Sequence, residues 1–180
     1  INLSIYDYKS ILYKVKNFKN LKVIGLVAVG VDCPQTVIYL SEKINLNIIS
    51  KNTQSFVINK FKLYNFLKND FLIPNYLKLD NKSRLKNFLE KNKKPYITKP
   101  IDGRGSREVQ YFENKKNLLS FLSKLKKNKL KKTIIQKFVM GKQYSTESLY
   151  LNGKMRTILS LRNYRTSKKY LPNIIENGGD

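Results

Sequence analysis

The stretch from residue 96 to residue 112 restricts the fold more than any other part of the sequence. A strand-forming run, Tyr96–Ile101, leads into a turn with two glycines, and a second run, Glu108–Phe112, follows that turn. So short a connection predicts two strands that fold back on one another. Glycine lets the backbone approach a ligand closely, and clustered N–H groups beside a lysine are typical of a polyphosphate site. The pattern therefore predicts a sheet with a glycine-rich loop at one end.

The residues around this loop are of the chemical types that bind phosphate. Lys99 stands near the end of the first strand, and Gly103, Arg104, Gly105 and Ser106 form the turn. The loop does not match the P-loop, because its lysine precedes the glycines. It does not match the dinucleotide-binding fingerprint either, because a strand rather than a helix follows. An ordinary glycine-containing hairpin remains the alternative interpretation.

The chain is strongly basic, with 36 Lys and Arg against 12 Asp and Glu and a net charge of +24. Such a charge favours nucleic-acid binding through phosphate contacts. Thirty of the basic residues are lysines spread along the whole sequence, which is also rich in Asn and Ile. That distribution is more typical of a compositional bias than of a binding stripe, so nucleic acid stays an alternative partner.

Several other classes of protein are disfavoured by composition. No run of about 18 apolar residues is present, so we expect no membrane span and no membrane partner. A single cysteine, Cys33, and the lack of histidine argue against an internal disulfide and a structural zinc site. The first residue is Ile and no signal-peptide pattern follows it, so we expect a cytoplasmic segment of a longer protein.

Hydrophobic periodicity predicts an α+β order of elements. In the first part of the chain it predicts a helix over Tyr6–Val15, a buried parallel strand over Leu21–Val29, and a helix capped by Asp32. Farther along it predicts three helices, an edge strand or connection, a further strand, and a hairpin around Asn152-Gly153. The helices are expected over Thr53–Lys68, Asn81–Lys91 and Leu118–Lys127. The edge strand or connection covers Phe71–Tyr76, the further strand covers Thr133–Val139, and the hairpin strands cover Tyr144–Leu151 and Met155–Leu161.

Four features, in this order and spacing, resemble the ATP-grasp superfamily. They are a helix lysine at Lys60, Lys99-Pro100 before the glycine-rich loop, an apolar strand over Gln136–Gly141, and the polar segment Gln143–Glu147. The resemblance covers roughly residues 20–180 and implies an α/β fold of the α+β ATP-grasp type. It implies three parts: the C-terminal part of a Rossmann-like lobe over residues 1–52, the ATP-grasp small subdomain over 53–140, and the truncated start of the large subdomain over 141–180.

The same resemblance implies which residues bind ATP. Lys60 and Lys99 would hold the phosphates, and Gly103–Ser106 would fold over them as a lid. Main-chain groups of Lys137 and Val139, on either side of Phe138, would hydrogen-bond the edge of the adenine ring.

Three positions depart from the family pattern. Gln136 and Gln143 stand where acids usually accept hydrogen bonds from the adenine amino group and the ribose hydroxyls, so both keep a carbonyl acceptor and lose the charge. Glu108 stands where these loops commonly have glycine, and an acid near polyphosphate is repulsive unless Arg104 or Arg107 pairs with it.

The resemblance also implies a place for the substrate and the metal. Glu176 would face a substrate amine, with a solvated loop acid as the alternative. The Mg²⁺ ligands of the family would lie beyond Asp180, so no metal ligand is expected within this chain.

The function implied is that of a ligase. ATP, with Mg²⁺, would activate a small-molecule carboxylate as an acyl phosphate for attack by an amine or another nucleophile. Two alternatives stay open, a basic nucleic-acid-binding module and a catalytically inactive ATP-grasp-like scaffold. The sequence does not decide the oligomeric state, and a homo-oligomer is compatible with it.

Overall fold

The structure, a computed structural model, describes residues 3–18, 22–28, 33–46, 51–80, 82–103, 107–140, 143–151, 154–162, 164–167 and 170–176. Its contacts divide the chain into two compact units, Ile1–Ile73 and Pro74–Asp180. The division into residues 1–52, 53–140 and 141–180 stays a prediction. No helix in the described ranges is long and apolar enough to cross a bilayer.

The described part of the first unit is helical. It contains α1 (Tyr8–Lys16), α2 (Pro34–Lys43), α3 (Lys51–Ile58) and α4 (Lys60–Leu67). The Asp7 carboxylate caps α1 by accepting a hydrogen bond from the Ser10 N–H at 3.2 Å. The Thr36 hydroxyl of α2 donates to the Ile5 carbonyl at 2.6 Å, which joins the segment before α1 to α2.

Two predictions for this unit are wrong, the strand over Leu21–Val29 and the unbroken helix over Thr53–Lys68. Residues 22–28 form no strand, and Ile24 and Val27 are 86% and 84% exposed. The described residues of this unit include no strand, so this apolar run has no neighbour to pair with. Helix α2 has Cys33 at its N-cap position, with no side-chain capping bond, and Asp32 lies outside the described residues.

The predicted helix over Thr53–Lys68 is in fact two helices that meet at Asn59. This residue has an extended backbone and its side-chain carbonyl accepts from the Lys62 N–H at 3.0 Å. Asparagine is a strong N-cap because it satisfies a free N–H at the start of a helix. Asn59 therefore begins α4 instead of continuing α3.

The second unit is built on an antiparallel sheet of four strands in the order β1-β4-β2-β3. Helices α5 to α7 lie between these strands in the chain, and two separate two-stranded sheets, β5-β6 and β7-β8, follow. The elements are β1 (Tyr76–Lys78), α5 (Lys82–Lys91), β2 (Tyr96–Pro100), β3 (Gln110–Phe112), α6 (Lys115–Lys124), α7 (Lys127–Lys131), β4 (Thr133–Lys137), β5 (Gln143–Leu151), β6 (Lys154–Arg162), β7 (Tyr164–Ser167) and β8 (Tyr170–Glu176).

One face of the four-stranded sheet carries the core of this unit. Tyr96, Phe112 and Ile135 pack there against buried residues of α5 and α6, among them Leu118 at 0% exposure. We call this side the helix face. Residues directly opposite in antiparallel strands share a face, so the register places Thr98 and Gln110 on the helix face as well.

The opposite side of the sheet is called the lysine face. The register places Lys78 of β1, Ile97 and Lys99 of β2, Tyr111 of β3, and Ile134 and Gln136 of β4 on it. Ile134 is fully buried, which means that part of this face is covered too.

Two outcomes in the second unit differ from the predictions. The helix expected over Leu118–Lys127 ends at Lys124, and α7 begins after a break at Leu125-Lys126. Strands β7 and β8 occupy residues for which no strand was predicted. The predicted hairpin is confirmed as β5-β6, while its turn, Asn152-Gly153, lies outside the described residues.

Candidate functional site

Lys99 and Gln136 lie on the lysine face of neighbouring strands. Gln136 is directly opposite Ile97 in the β2-β4 register, and Lys99 is opposite Ile134. The two side chains are therefore offset by two residues along the strands, about 7 Å. Sequence analysis named both as nucleotide ligands, and the fold brings them to one surface.

Gln136 presents an unused acceptor. The residue is 7% exposed, and its Oε1 is buried without a hydrogen-bond partner in the described structure. A buried carbonyl without a partner costs about 1–3 kcal/mol relative to a paired one. Such an atom suits a ligand that brings an N–H donor.

Burial lowers the pKa of Lys99 from 10.5 to about 8. The side chain is half-buried, and an ammonium group deprived of water is more easily deprotonated. An anionic ligand at this surface would reverse the effect, since it would favour the charged form. Lys99 is thus placed to respond to a phosphate group.

The end of β4 is fixed by hydrogen bonds. The Lys137 N–H donates to the Asn75 carbonyl at 2.8 Å, and the Phe138 N–H donates to the Pro95 carbonyl at 3.0 Å. Asn75 is itself held by Asn92, whose Oδ1 accepts from the Asn75 amide at 2.7 Å. Because the Lys137 N–H is engaged, that residue can offer only its carbonyl to a ligand.

Beyond this point the chain leaves the sheet. Val139 and Met140 are 61% and 75% exposed, and no described residue accepts from the Val139 N–H. The ring of Phe138 packs edge-on against Tyr111 with centroids 5.0 Å apart. Phe138 therefore sits beside the lysine face, next to the main-chain groups of Lys137 and Val139.

The glycine-rich loop is described only at its two ends, since Arg104, Gly105 and Ser106 lie outside the described residues. Gly103 does not have a left-handed φ, but a Cβ at this position would collide with the ring of Pro100. The requirement for glycine at 103 is therefore close packing against Pro100, and not a positive φ.

Glu108 behaves differently from the expectation. Its carboxylate forms an ion pair with Lys129 at 2.6 Å, whereas Arg104 or Arg107 was expected as its partner. Its backbone has a φ of 59°, which is unusual for a residue other than glycine, Asn or Asp. The pair neutralises the acid at the base of the loop.

The remaining predicted ligands are placed as follows. Lys60 is the first residue of α4 in the first unit and is half-buried, so its convergence with Lys99 on one triphosphate stays a prediction. Gln143 begins β5, opposite Arg162, and Glu176 ends β8, opposite Tyr164. Their side chains are not described, and their roles stay predictions.

Lys78, which was not among the predicted ligands, also lies on the lysine face. Lys78 and Lys99 are each opposite Ile134, one from β1 and one from β2, so the two lysines flank a buried isoleucine on one face. Their backbones are about 10 Å apart, two strand spacings. The signal was present in the strand-like segment near Tyr76, but only the pairing of β1 with β4 shows which residues share a face.

Comparisons with known proteins identify the family and the fold of this chain. A family model described as an ATP-grasp domain matches residues 57–175. No curated protein matches the chain by sequence.

Solved structures share the fold at low sequence identity. N5-carboxyaminoimidazole synthetase from Staphylococcus aureus, complexed with ADP, has a TM-score of 0.67 at 15% identity over 92% of this chain and 43% of its own. Phosphoribosylglycinamide synthetase from Anaerococcus prevotii has a TM-score of 0.64 at 17% identity, with 93% and 42% covered. D-alanine-D-alanine ligase from Helicobacter pylori has a TM-score of 0.56 at 15% identity, with 88% and 59% covered.

This chain spans less than two thirds of the length of each of these proteins. The expected mixture of helices and antiparallel sheet, and its similarity to ATP-grasp proteins, are confirmed. The family model covers well over half of the sequence. The chain belongs to the ATP-grasp domain family.

Proposed function

We propose that this chain is the ATP-binding part of a ligase that activates a carboxylate as an acyl phosphate for attack by an amine or another nucleophile. The observation that carries the proposal is the placement of Lys99 and the unpartnered Gln136 acceptor on one face of the sheet. One end of a nucleotide needs a cation and the other needs an acceptor. The ADP bound in the S. aureus synthetase supports the choice of ATP.

The base and the ribose would be held near the end of β4. Gln136 Oε1 would accept from the adenine amino group, which would satisfy the buried atom. The Lys137 carbonyl and the Val139 N–H would meet the edge of the ring, with Phe138 beside them. Gln143 would accept from the ribose hydroxyls.

The phosphates would be held by cations and by the loop. Lys99 and Lys60 would neutralise phosphate charge, and the loop over Gly103–Ser106, with Arg104 and Gly105, would cover the phosphates. When bound, ATP supplies the phosphoryl group that activates the carboxylate. Ammonium groups aimed at the charge that develops in such a transfer act by position and electrostatics, without covalent chemistry of their own.

The acceptor substrate and the metal are less defined. Glu176 would contact the amine, and the carboxylate and oligomeric state stay open. No cluster of three or more Asp, Glu, His or Cys within the described ranges is arranged to hold a metal ion, so we assign no ligand to Mg²⁺ and derive no step through it.

The proposal is tested by isothermal titration with Mg·ATP. We expect Lys99→Gln to weaken binding by about 30-fold, the scale of one lost hydrogen bond to a charged group. Gln136→Leu should weaken it by about tenfold, for one lost neutral hydrogen bond. Lys86→Gln is the matched control, because Lys86 is exposed on α5 and its loss removes the same charge. Equal affinity in Lys99→Gln and Lys86→Gln would overturn the assignment.

Two further measurements distinguish this proposal from its two alternatives. A nucleic-acid-binding module would bind an oligonucleotide with a steep salt dependence and would be indifferent to Lys99→Gln. An inactive scaffold, which Gln136, Gln143 and Glu108 favour, would bind Mg·ATP, yet the whole ligase that contains it would show no turnover.

A further inference from the structure

The second unit contains a cavity of about 410 Å³ on the helix face of the sheet. Thr98 and Pro100 of β2 form its floor, Phe121 and Leu125 form an apolar wall, and residues of α7 close one side. Lys99 lies between Thr98 and Pro100 in β2, and its side chain points to the opposite face. The cavity is therefore separate from the proposed nucleotide surface.

Thr98, one of the residues that line the cavity, carries an unused hydrogen-bonding group. Thr98 is 1% exposed, and its hydroxyl is buried without a partner in the part of the chain that the structure describes. A hydroxyl in an apolar setting is unfavourable unless it forms a hydrogen bond. The neighbouring Thr133 hydroxyl differs, since it donates to the Lys129 carbonyl at 2.8 Å.

The rim of the cavity is balanced in charge. Glu108 pairs with Lys129 at 2.6 Å, and Asp102 pairs with Lys132 at 3.8 Å. In a chain with a net charge of +24 most surface positions attract anions, whereas this rim has two charges of each sign. It therefore does not select an anion such as a nucleotide.

We propose that this cavity is a second ligand site, which takes a small uncharged molecule with an apolar body and one hydroxyl or amide group. The polar group would pair with the Thr98 hydroxyl, and the apolar body would lie against Phe121 and Leu125. The volume falls within the range of about 300–1,000 Å³ that is usual for small-molecule sites.

The cavity lies next to both ends of the glycine-rich loop. Asp102 comes directly before Gly103, and Glu108 follows the loop on its other side, and both line the cavity. A molecule in the cavity lies at the base of the loop that the proposed function places over the phosphates. The existence of the site itself does not depend on that function.

The test uses benzyl alcohol as the probe, with benzoate and benzylamine as charged analogues. We expect benzyl alcohol to shift the amide resonances of Thr98, Gln110 and Leu125 in ¹H–¹⁵N spectra at millimolar concentration. Both charged analogues should bind at least tenfold more weakly, because each adds an unpaired charge to a balanced site. Shifts scattered over the surface, or equal binding of benzoate, would overturn the proposal.

Three variants locate the binding. Thr98→Val keeps the shape and removes the hydroxyl, so we expect at least fivefold weaker binding of benzyl alcohol without a lower thermal midpoint. Leu125→Trp fills the cavity and should abolish binding. Lys99→Gln changes only the opposite face and should leave the affinity unaltered.

The results for Thr98→Val and Leu125→Trp each support or overturn the proposed ligand site. Unchanged binding in Thr98→Val, or binding that persists in a folded Leu125→Trp, would show that the probe binds elsewhere. Should Leu125→Trp fail to fold, Thr98→Val decides alone, because it introduces no added volume. Thr98→Val should bind Mg·ATP as the wild type does. Loss of benzyl alcohol binding in this variant would then report on the cavity alone and not on the proposed nucleotide site.

Discussion

Lys99 shows how burial alone changes the chemistry of a residue. Its pKa is lowered from 10.5 to about 8, so between those values the unfolded chain binds a proton that the folded chain does not. The free energy of unfolding therefore increases as pH rises from about 8 to about 10.5. Below about pH 8 the folded protein is destabilised by the full free energy of a buried ammonium group, of the order of 3 kcal/mol. The side chain is half-buried, so this figure is an upper bound.

The first prediction concerns nucleotide affinity and pH. Because Lys99 must be charged to hold a phosphate, we expect the affinity for Mg·ATP to fall as pH rises above about 8, by about tenfold at pH 9. The other ionisable groups that the register places on the same face are Tyr76, Lys78 and Tyr111. Burial, together with the charge of Glu113, raises the pKa of Tyr111 above 10.0. Titrations at several pH values measure this.

Lys99→Arg is the control for that prediction. Arginine stays charged throughout this range, so its affinity for Mg·ATP should not fall between pH 8 and 9. A parallel decrease in the wild type and in Lys99→Arg would mean that another group titrates.

The second prediction concerns Gly103. A Cβ at this position would collide with the Pro100 ring, and since Pro100 lies in β2 its ring cannot move far. We expect Gly103→Ala to destabilise the protein by about 1–3 kcal/mol, as is usual for overpacking, measured by urea unfolding. Gly103→Ala with Pro100→Ala should recover much of the loss, whereas a fully additive double variant would contradict the collision.

At the scale of elements, the sequence predicts helices and strands where periodicity is regular and fails where a single contact decides. Helix α5 and the β5-β6 hairpin follow their patterns closely. The break at Asn59 depends on one capping bond, which a periodic pattern does not register. The run over residues 22–28 is as apolar as a strand, yet an isolated strand has no backbone partner.

The candidate site, like the elements, was predictable from the sequence only in part. Sequence order named Lys99 and Gln136 as candidate ligands, but which side chains share a face follows only from the register of β1, β2 and β4. The same holds for the Glu108–Lys129 pair, whose partners are 21 residues apart. Contacts across a sheet and a loop are decided by tertiary structure, and local pattern does not contain them.

The third prediction follows from the register of β1. Lys78 and Lys99 flank Ile134 on the lysine face, so both ammonium groups contribute to the positive potential there. We expect Lys78→Gln to weaken Mg·ATP binding several-fold, less than Lys99→Gln does, because β1 is the outer strand. Titration of Lys78→Gln beside Lys86→Gln measures it, and identical affinities in these two variants would remove Lys78 from the site.

At the scale of the whole molecule, the dominant property is a net charge of +24. Like charges distributed over a compact chain repel one another and destabilise the folded state. Two ion pairs, Glu108–Lys129 and Asp102–Lys132, have side chains that are 49–65% exposed, and exposed pairs contribute little to stability. We therefore expect repulsion to outweigh attraction among the charges of this chain.

The fourth prediction is that salt stabilises this protein. Raising NaCl from about 10 mM to about 150 mM shortens the screening length from about 30 Å to about 8 Å, which weakens long-range repulsion more than it weakens contact pairs. We expect the thermal midpoint to rise by a few degrees, as for about 1 kcal/mol in a chain of this size. The double variant Lys86→Glu/Lys126→Glu, at two exposed positions, lowers the net charge and should show a smaller rise. A midpoint that falls with salt would mean that ion pairs, and not repulsion, dominate the electrostatics of the folded chain.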